Sequence, residues 1–349
     1  MKKLGLDEFL LLAREFPVLD VRSPGEYGHA HIPGAWSLPL FTDEERKVVG
    51  TSYKQESREH AIKLGLDYFG VKMRKMVEEV EVMLKNHSSV KKGVQPTVLV
   101  HCWRGGMRSA GVAWLLDLYG FKVYTLVGGY KAYRSWTMKQ FSVNYSFKVL
   151  GGYTGSGKTP TLAVLKKKGE KTIDLEDLAQ HKGSAFGSFG RVQPSQEMFE
   201  NLLAWELNWV NTALPHGTPI WIEDESQRIG LVNLPNTICA SMKLAKLYFV
   251  DIPFNARLVH ITDEYGKLKK EELVNSIIRI QKRLGGQNTK LAINYLLEDN
   301  ISGCFAILLR YYDKHYEKSI QSRKELKLPI VKLAVDTIDA QEISQKLLG

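Results

Sequence analysis

The chain has 349 residues, 44% of them hydrophobic and 25% charged, the proportions of an ordinary globular protein long enough for two domains. Its 48 Lys and Arg against 38 Asp and Glu give a net charge of +10; this suits a generic basic protein or a polyanionic partner such as RNA, and charge alone does not choose. Three cysteines with no CxxC pair exclude a disulfide framework and a cysteine-rich zinc site, and no apolar run has the roughly 18 residues of a membrane span.

The start of the chain meets Asp7 and Glu8 before any apolar core, so it makes a poor signal peptide, and a reducing cytoplasm with no membrane partner is expected. Phe16–Val21 reads as a buried strand broken by Ser23-Pro24-Gly25, and Ala35–Leu40 as a second strand. Residues 43–90, with Val71, Met76, Val77, Val80 and Leu84 at helical spacing, are expected to be helices. They fill an insert at about 41–95 that is either a solvated excursion or a face for the partner. Strand Thr97–Val100, helix Ser109–Leu118, strand Lys122–Leu126 and the turn Gly128-Gly129 follow. Alternating strand and helix implies a parallel sheet.

The pattern restarts after residue 141. Phe147–Leu150 is a strand running into Gly151-Gly152, a helix covers 158–168, and Lys171–Leu175, Ile220–Ile222 and Leu247–Val250 are further strands. Helices are expected to dominate after 268. The fold class is therefore α/β, with one α/β domain over 1–141 and a second over 142–349 that has a helical C-terminal part.

Two loops carry chemistry. In His101-Cys102-Trp103-Arg104-Gly105-Gly106-Met107-Arg108-Ser109 a strand ends on a cysteine and a helix opens near an arginine. The paired glycines let backbone N–H groups curl inward, and the helix N-terminus adds positive charge. Both favour a thiolate, the reactive form, and would cradle an anion at the sulfur. Cys102, Arg104 and Arg108 are the candidate catalytic residues, with at least one arginine expected to face the loop. Cys239 and Cys304 lack such a setting and are expected to be inert. Taken alone, the loop fits a cysteine-dependent phosphatase as well as a sulfurtransferase.

Gly152-Tyr153-Thr154-Gly155-Ser156-Gly157-Lys158-Thr159 fits G-x-x-x-x-G-K-[ST] between a strand and a helix. Gly152, Gly155, Ser156, Gly157, Lys158 and Thr159 are the candidate phosphate-binding residues, and the Thr159 hydroxyl would ligate Mg²⁺. The apolar strand ending in Glu223-Asp224 supplies a Walker B carboxylate, either residue serving. ATP hydrolysis does not follow, since such a loop can hold any diphosphate.

The segments Asp20-Val21-Arg22-Ser23-Pro24-Gly25-Glu26-Tyr27, Gly28 to Ala35, the Cys102 loop and Gly128-Gly129-Tyr130-Lys131 together resemble a rhodanese domain over about 8–136, which resolves the ambiguity of the loop. Asp20, Arg22, His29 and His31 are then read as bracing the fold. A rhodanese-like domain followed by a P-loop NTPase-like domain resembles the tRNA 2-selenouridine synthases. The same resemblance runs through Asp174-Leu175-Glu176, His181 to Gly187, Gln193-Pro194-Ser195-Gln196 and Glu225 to Gly230.

That resemblance implies a tRNA-modifying transferase that converts wobble 2-thiouridine to 2-selenouridine. It implies geranyl diphosphate and selenophosphate as substrates rather than a tightly bound cofactor. Its partners would be tRNA and a selenophosphate-supplying enzyme. Geranylation would make the sulfur a leaving group, and Cys102 would serve the selenium step. His181, Lys182 and Arg228 are candidate substrate contacts. Tyr153 and Trp221 are assigned to core packing ahead of a prenyl pocket. The alternatives are an ATP-dependent tRNA sulfurtransferase and a non-catalytic binding module.

Overall fold

The computed structural model describes residues 1–349 apart from 86, 88–94, 184–186, 188–189 and 214–216, with the backbone alone for 210–213. The chain forms two compact units, residues 1–140 and 141–349.

The first unit is built on strands β1 (Lys2–Leu4), β2 (Val18–Asp20), β3 (Trp36–Ser37), β4 (Thr97–His101) and β5 (Lys122–Leu126). They pair in the order β1-β5-β4-β2-β3, every pair parallel. All five residues of β4 are buried, as a central parallel strand covered on both faces requires. This order puts the C-terminal end of β4 beside the ends of β2 and β5, where open parallel sheets place their ligands. β2 is shorter than the stretch Phe16–Val21, because Pro17 has no N–H to donate to a ladder.

The insert consists of helices Asp43–Gln55, Arg58–Gly70 and Met73–Lys85. Thr42 and Ser57 begin the first two by accepting from the N–H groups of Glu45 and His60. The third helix turns Met76, Val77, Val80 and Leu84 into the same core as Val98, Val100 and Val112. Residues 86 and 88–90 of the expected helical span lie outside the described residues.

The second unit carries β6 (Phe147–Gly152), β7 (Thr172–Ile173), β8 (Ile220–Glu223), β9 (Arg228–Ile229), β10 (Val232–Asn233), β11 (Lys246–Asp251) and β12 (Ile330–Ala334). A parallel sheet runs β12-β11-β6-β8-β7, and β9 and β10 form a short antiparallel pair. β7 stops at Ile173 because the Asp174 side chain accepts from Asp177 N–H and starts helix Leu175–Leu178. Helices Lys270–Leu284, Gly286–Leu297, Ile301–Glu325 and Ala340–Leu348 fill the tail. Helices dominate after residue 268, and among them β12 returns to the sheet edge beside β11. Leu273, Ile277, Leu296, Phe305 and Leu308 join the tail helices in a core of their own. Cys304 lies buried in it, its thiol pushed up to about 12 by burial.

Candidate functional sites

Cys102 follows β4 and is buried, with its Sγ 3.2 Å from Ser109 Oγ. Ser109 Oγ is also 3.1 Å from Gly106 O. A hydroxyl has one proton. Either Ser109 donates to Gly106 O while the thiol donates to Ser109, or Ser109 turns its proton onto the sulfur, as a thiolate needs. The helix Met107–Tyr119 opens at Gly106 without a side-chain cap, leaving first-turn N–H groups for an anion.

The turn after β5 forms the floor of this loop. Tyr130 N–H and Lys131 N–H donate to Cys102 O and Trp103 O at 2.8 and 2.9 Å. Gly129 has φ +58°, and a Cβ there would stand 2.3 Å from Cys102 O, so a side chain would force the loop open.

The two arginines differ. Arg108 Nη1 donates to Glu26 Oε2 at 2.7 Å, and Glu26 also accepts from Ser23 N–H at 3.1 Å and Arg46 Nε at 2.9 Å. Burial would raise the Glu26 carboxyl, but Arg108 and Arg46 outweigh it and hold it below its ordinary value. The charge of Arg108 is thus spent on a carboxylate of the same unit, whereas Arg104 is exposed with no hydrogen bond or ion pair among the described residues. Behind the loop, buried Asp20 and Arg22 pair at 2.5 Å, and Arg22 lies 3.9 Å from the Tyr130 ring centroid. Burial opposes the Asp20 charge, yet His101 and Arg22 hold its carboxyl low. His31 Nδ1 lies 2.9 Å from Tyr27 O, its ring stacked on Tyr27, and His29 is exposed at the end of the short helix Pro24–His29 that carries Tyr27.

In the second unit β6 runs into the phosphate loop at Gly152, and Gly157 precedes helix Lys158–Lys167. Gly155 has φ +79°, and a Cβ there would stand 2.7 Å from Ile261. Ser156 Oγ is buried with no hydrogen-bond partner among the described residues, an orphan that a bound anion would satisfy. Thr159 Oγ1 lies 3.2 Å from both Glu223 Oε1 and Glu176 Oε2, and Glu223 Oε2 accepts from Glu176 N–H at 3.2 Å. Of the two Walker B candidates, then, Glu223 meets Thr159, while Asp224 faces a different cavity.

A cavity of about 470 Å³ opens over this loop, lined in part by Lys158, Thr159, Glu176, Lys182, Glu225 and Tyr316. Burial would pull the Lys158 ammonium down, but Tyr316 and the carboxylates of Glu225, Glu176 and Glu223 hold it above its ordinary value. The carboxylates move the other way. Burial and mutual repulsion raise Glu223 well above normal and push Glu225 up to about 8; burial chiefly raises Asp174 and Glu176.

Sequence reasoning did not single out Glu176, Glu225 or Ser109; its signals were the unexplained polar segments 174–176 and 225–230 and the residue after Arg108. Lys182 lines the cavity and pairs with Glu264. His181 is 8% exposed and lies outside the walls of this cavity. Its ring packs where a Cβ on Gly187 or Gly230 would stand 2.8 or 2.7 Å away. Arg228 sits exposed on β9 with Nε 2.9 Å from Gly230 O. Trp221 is fully buried and donates to Glu170 at 3.0 Å, a core role; Tyr153 packs edge-on against Phe249 and Tyr316. Ser184, Ala185 and Phe186 lie outside the described residues.

A family model described as tRNA 2-selenouridine synthase AAA domain matches residues 145–333, and a Rhodanese-like domain model matches residues 6–135. The tRNA 2-selenouridine synthase of Bdellovibrio bacteriovorus is 34% identical, covering 90% of this chain and 91% of its own. The chain belongs to the tRNA 2-selenouridine synthase family. The enzyme of that name from Sulfurovum sp. is also 34% identical over 87% of this chain and 89% of its own. That of Shewanella pealeana is 32% identical over 90% and 92%. Membership bears out the expected fold, a rhodanese domain and then a P-loop-type domain in a family of tRNA-modifying enzymes. Among the described residues no helix is long and apolar enough to cross a membrane.

Proposed function

We propose that the chain converts wobble 2-thiouridine of tRNA to 2-selenouridine in two steps, alkylation at the phosphate loop and selenium delivery at Cys102, in the cytoplasm. The observation that carries this reading is the pairing, in one chain of this family, of the Thr159–Glu223 phosphate loop with the anion cradle at Cys102.

In the first step the thiocarbonyl sulfur attacks C1 of geranyl diphosphate. The C1–O bond breaks, diphosphate leaves, and the base loses its N3 proton. Lys158, charged at all working pH values, and the N–H groups of the loop stabilise the leaving diphosphate. Thr159 and Glu223 offer the hard oxygens that Mg²⁺ takes, and the crowded carboxylates there outnumber the Lys158 ammonium that faces them. Among the described residues no three Asp, Glu, His or Cys side chains converge as a full metal site, so Mg²⁺ would complete its shell with phosphate and water. When bound, it would neutralise charge on the diphosphate.

In the second step selenophosphate supplies selenide, with its P–Se bond broken by water. Hydrogen selenide adds at C2 and passes its proton to N3, the C2–S bond breaks, and geranylthiolate departs and takes a proton from water. The Cys102 loop, with Ser109 and the N–H groups of helix Met107–Tyr119, holds the anionic selenium donor, and exposed Arg104 adds charge at its mouth.

The test is mass spectrometry of 2-thiouridine tRNA after incubation with the protein, geranyl diphosphate and selenophosphate. S-geranyl-2-thiouridine without selenophosphate, and 2-selenouridine with it, are the expected products. Conversion that needs ATP and ignores geranyl diphosphate would overturn the reading.

A further inference from the structure

Beside the phosphate loop, the second unit holds another cavity, of about 650 Å³. It shares Gly183, Glu225, Tyr312 and Tyr316 with the 470 Å³ cavity over Lys158. Ligands in the two cavities would meet across that wall. Neither step above assigns it an occupant.

Its lining is of three kinds. Helix Ile301–Glu325 presents Tyr311 and His315, edge to face at 4.8 Å, with Tyr312 5.1 Å from Tyr311. Asp224 and Glu225 supply carboxyl groups. Lys243 and Arg283 are exposed, without a hydrogen bond or ion pair among the described residues. Arg283 stands in the last turn of helix Lys270–Leu284 beside Lys282.

A hydrocarbon chain placed here would dehydrate carboxyl and cationic groups and return no hydrogen bonds. A nucleoside uses every part of the lining. Aromatic rings stack on a base, carboxyl groups meet the N–H of a pyrimidine edge, and the two cations meet the phosphates on either side.

We propose that this second cavity seats one splayed-out pyrimidine nucleoside of the RNA substrate, with Lys243 and Arg283 on its flanking phosphates. The proposal rests on reading the neighbouring loop as the alkyl diphosphate site. It brings the base to the wall that the two cavities share.

The test uses the full chain and an anticodon stem-loop RNA with 5-iodouridine at the wobble position. After irradiation, crosslinks are expected in the peptides that hold residues 239–243 and 311–316. Crosslinks confined to other peptides, or no stronger than those of RNA lacking iodouridine, overturn it. The pair Lys243→Ala and Arg283→Ala is expected to weaken RNA binding about tenfold and to lower its salt slope by about 2. Geranyl diphosphate binding should stay within about twofold. Weakened geranyl diphosphate binding with RNA binding intact assigns the cavity to the prenyl chain and overturns the proposal. Should the wild-type chain crosslink as expected yet fail to alkylate 2-thiouridine, the reading of the phosphate loop fails while the cavity assignment stands.

Discussion

Arg108 Nη1 and Glu26 Oε2 are 2.7 Å apart across 82 positions of sequence. The pair ties the helix that follows the cysteine loop to the short helix after β2. The two side chains are only 23% and 13% exposed, so removing one partner strands a half-buried charge, at about 1–3 kcal/mol. Glu26→Gln should lower the melting temperature accordingly, and Arg108→Gln in that background should add little. The folded carboxyl titrates below its ordinary value of 4.5. Its stabilisation is therefore complete above that value and lost as pH falls through the lowered one. The gap in melting temperature between wild type and Glu26→Gln should be full near pH 7 and narrower at about pH 3. An equal gap at both values would show that the ion pair is not the source.

Cys102→Ala should abolish 2-selenouridine formation while S-geranyl-2-thiouridine still accumulates. Selenation that survives the change sinks the role given to Cys102. Ser109→Ala removes the only side-chain hydroxyl within hydrogen-bond reach of the sulfur among the described residues. A hydrogen bond to a charged group is worth about 1.5–3 kcal/mol, so thiol alkylation by iodoacetamide near neutral pH should slow about tenfold. Unchanged alkylation would leave Ser109 a purely structural residue.

Lys158→Ala should reduce geranyl transfer by about 10²–10³, read as the initial rate of S-geranyl product from 2-thiouridine RNA. Because Lys158 faces Glu176, Glu223 and Glu225, the variant's fold must be checked by circular dichroism, and Thr159→Ala gives a milder second probe. Selenation of pre-geranylated RNA should be untouched by either change. Loss of both steps would mean that the two sites are not chemically separate.

Much of this was legible in the chain, because some functions need a fixed local backbone. A phosphate loop needs its strand, glycines and helix in sequence, so 147–168 could be read directly. The cysteine loop and Gly128-Gly129 are far apart in sequence, but a Cβ on Gly129 would clash with Cys102 O, which makes glycine obligatory there. What escaped were relations set by the sheet order. The partner of Arg108 depends on β2 lying next to β4, and spacing alone did not say which of Arg104 and Arg108 faces the loop. Glu176 reaches Thr159 only because Asp174 ends β7 and starts a helix. β12 was hidden in a tail of helical spacing since a five-residue edge strand leaves little periodic signal.

The carboxylates around Thr159 predict an unusual pH response. Asp174, Glu176, Glu223 and Glu225 all titrate above their ordinary values, Glu225 at about 8. A carboxyl whose folded value is raised binds its proton more tightly in the folded chain. Its stabilisation is present below the ordinary value of 4.5 and is lost as pH rises toward about 8. The melting temperature should therefore fall between about pH 6 and pH 8.5, where surface carboxylates would leave it flat. Glu225→Gln should flatten that slope by removing one titrating group. Mg²⁺ should raise the melting temperature more at the upper pH than at the lower, since it binds the ionised carboxylates and competes with their protons. A stabilisation by Mg²⁺ that is equal at both pH values, or absent in wild type and Glu223→Gln alike, would rule out Glu223 and Thr159 as its binding groups.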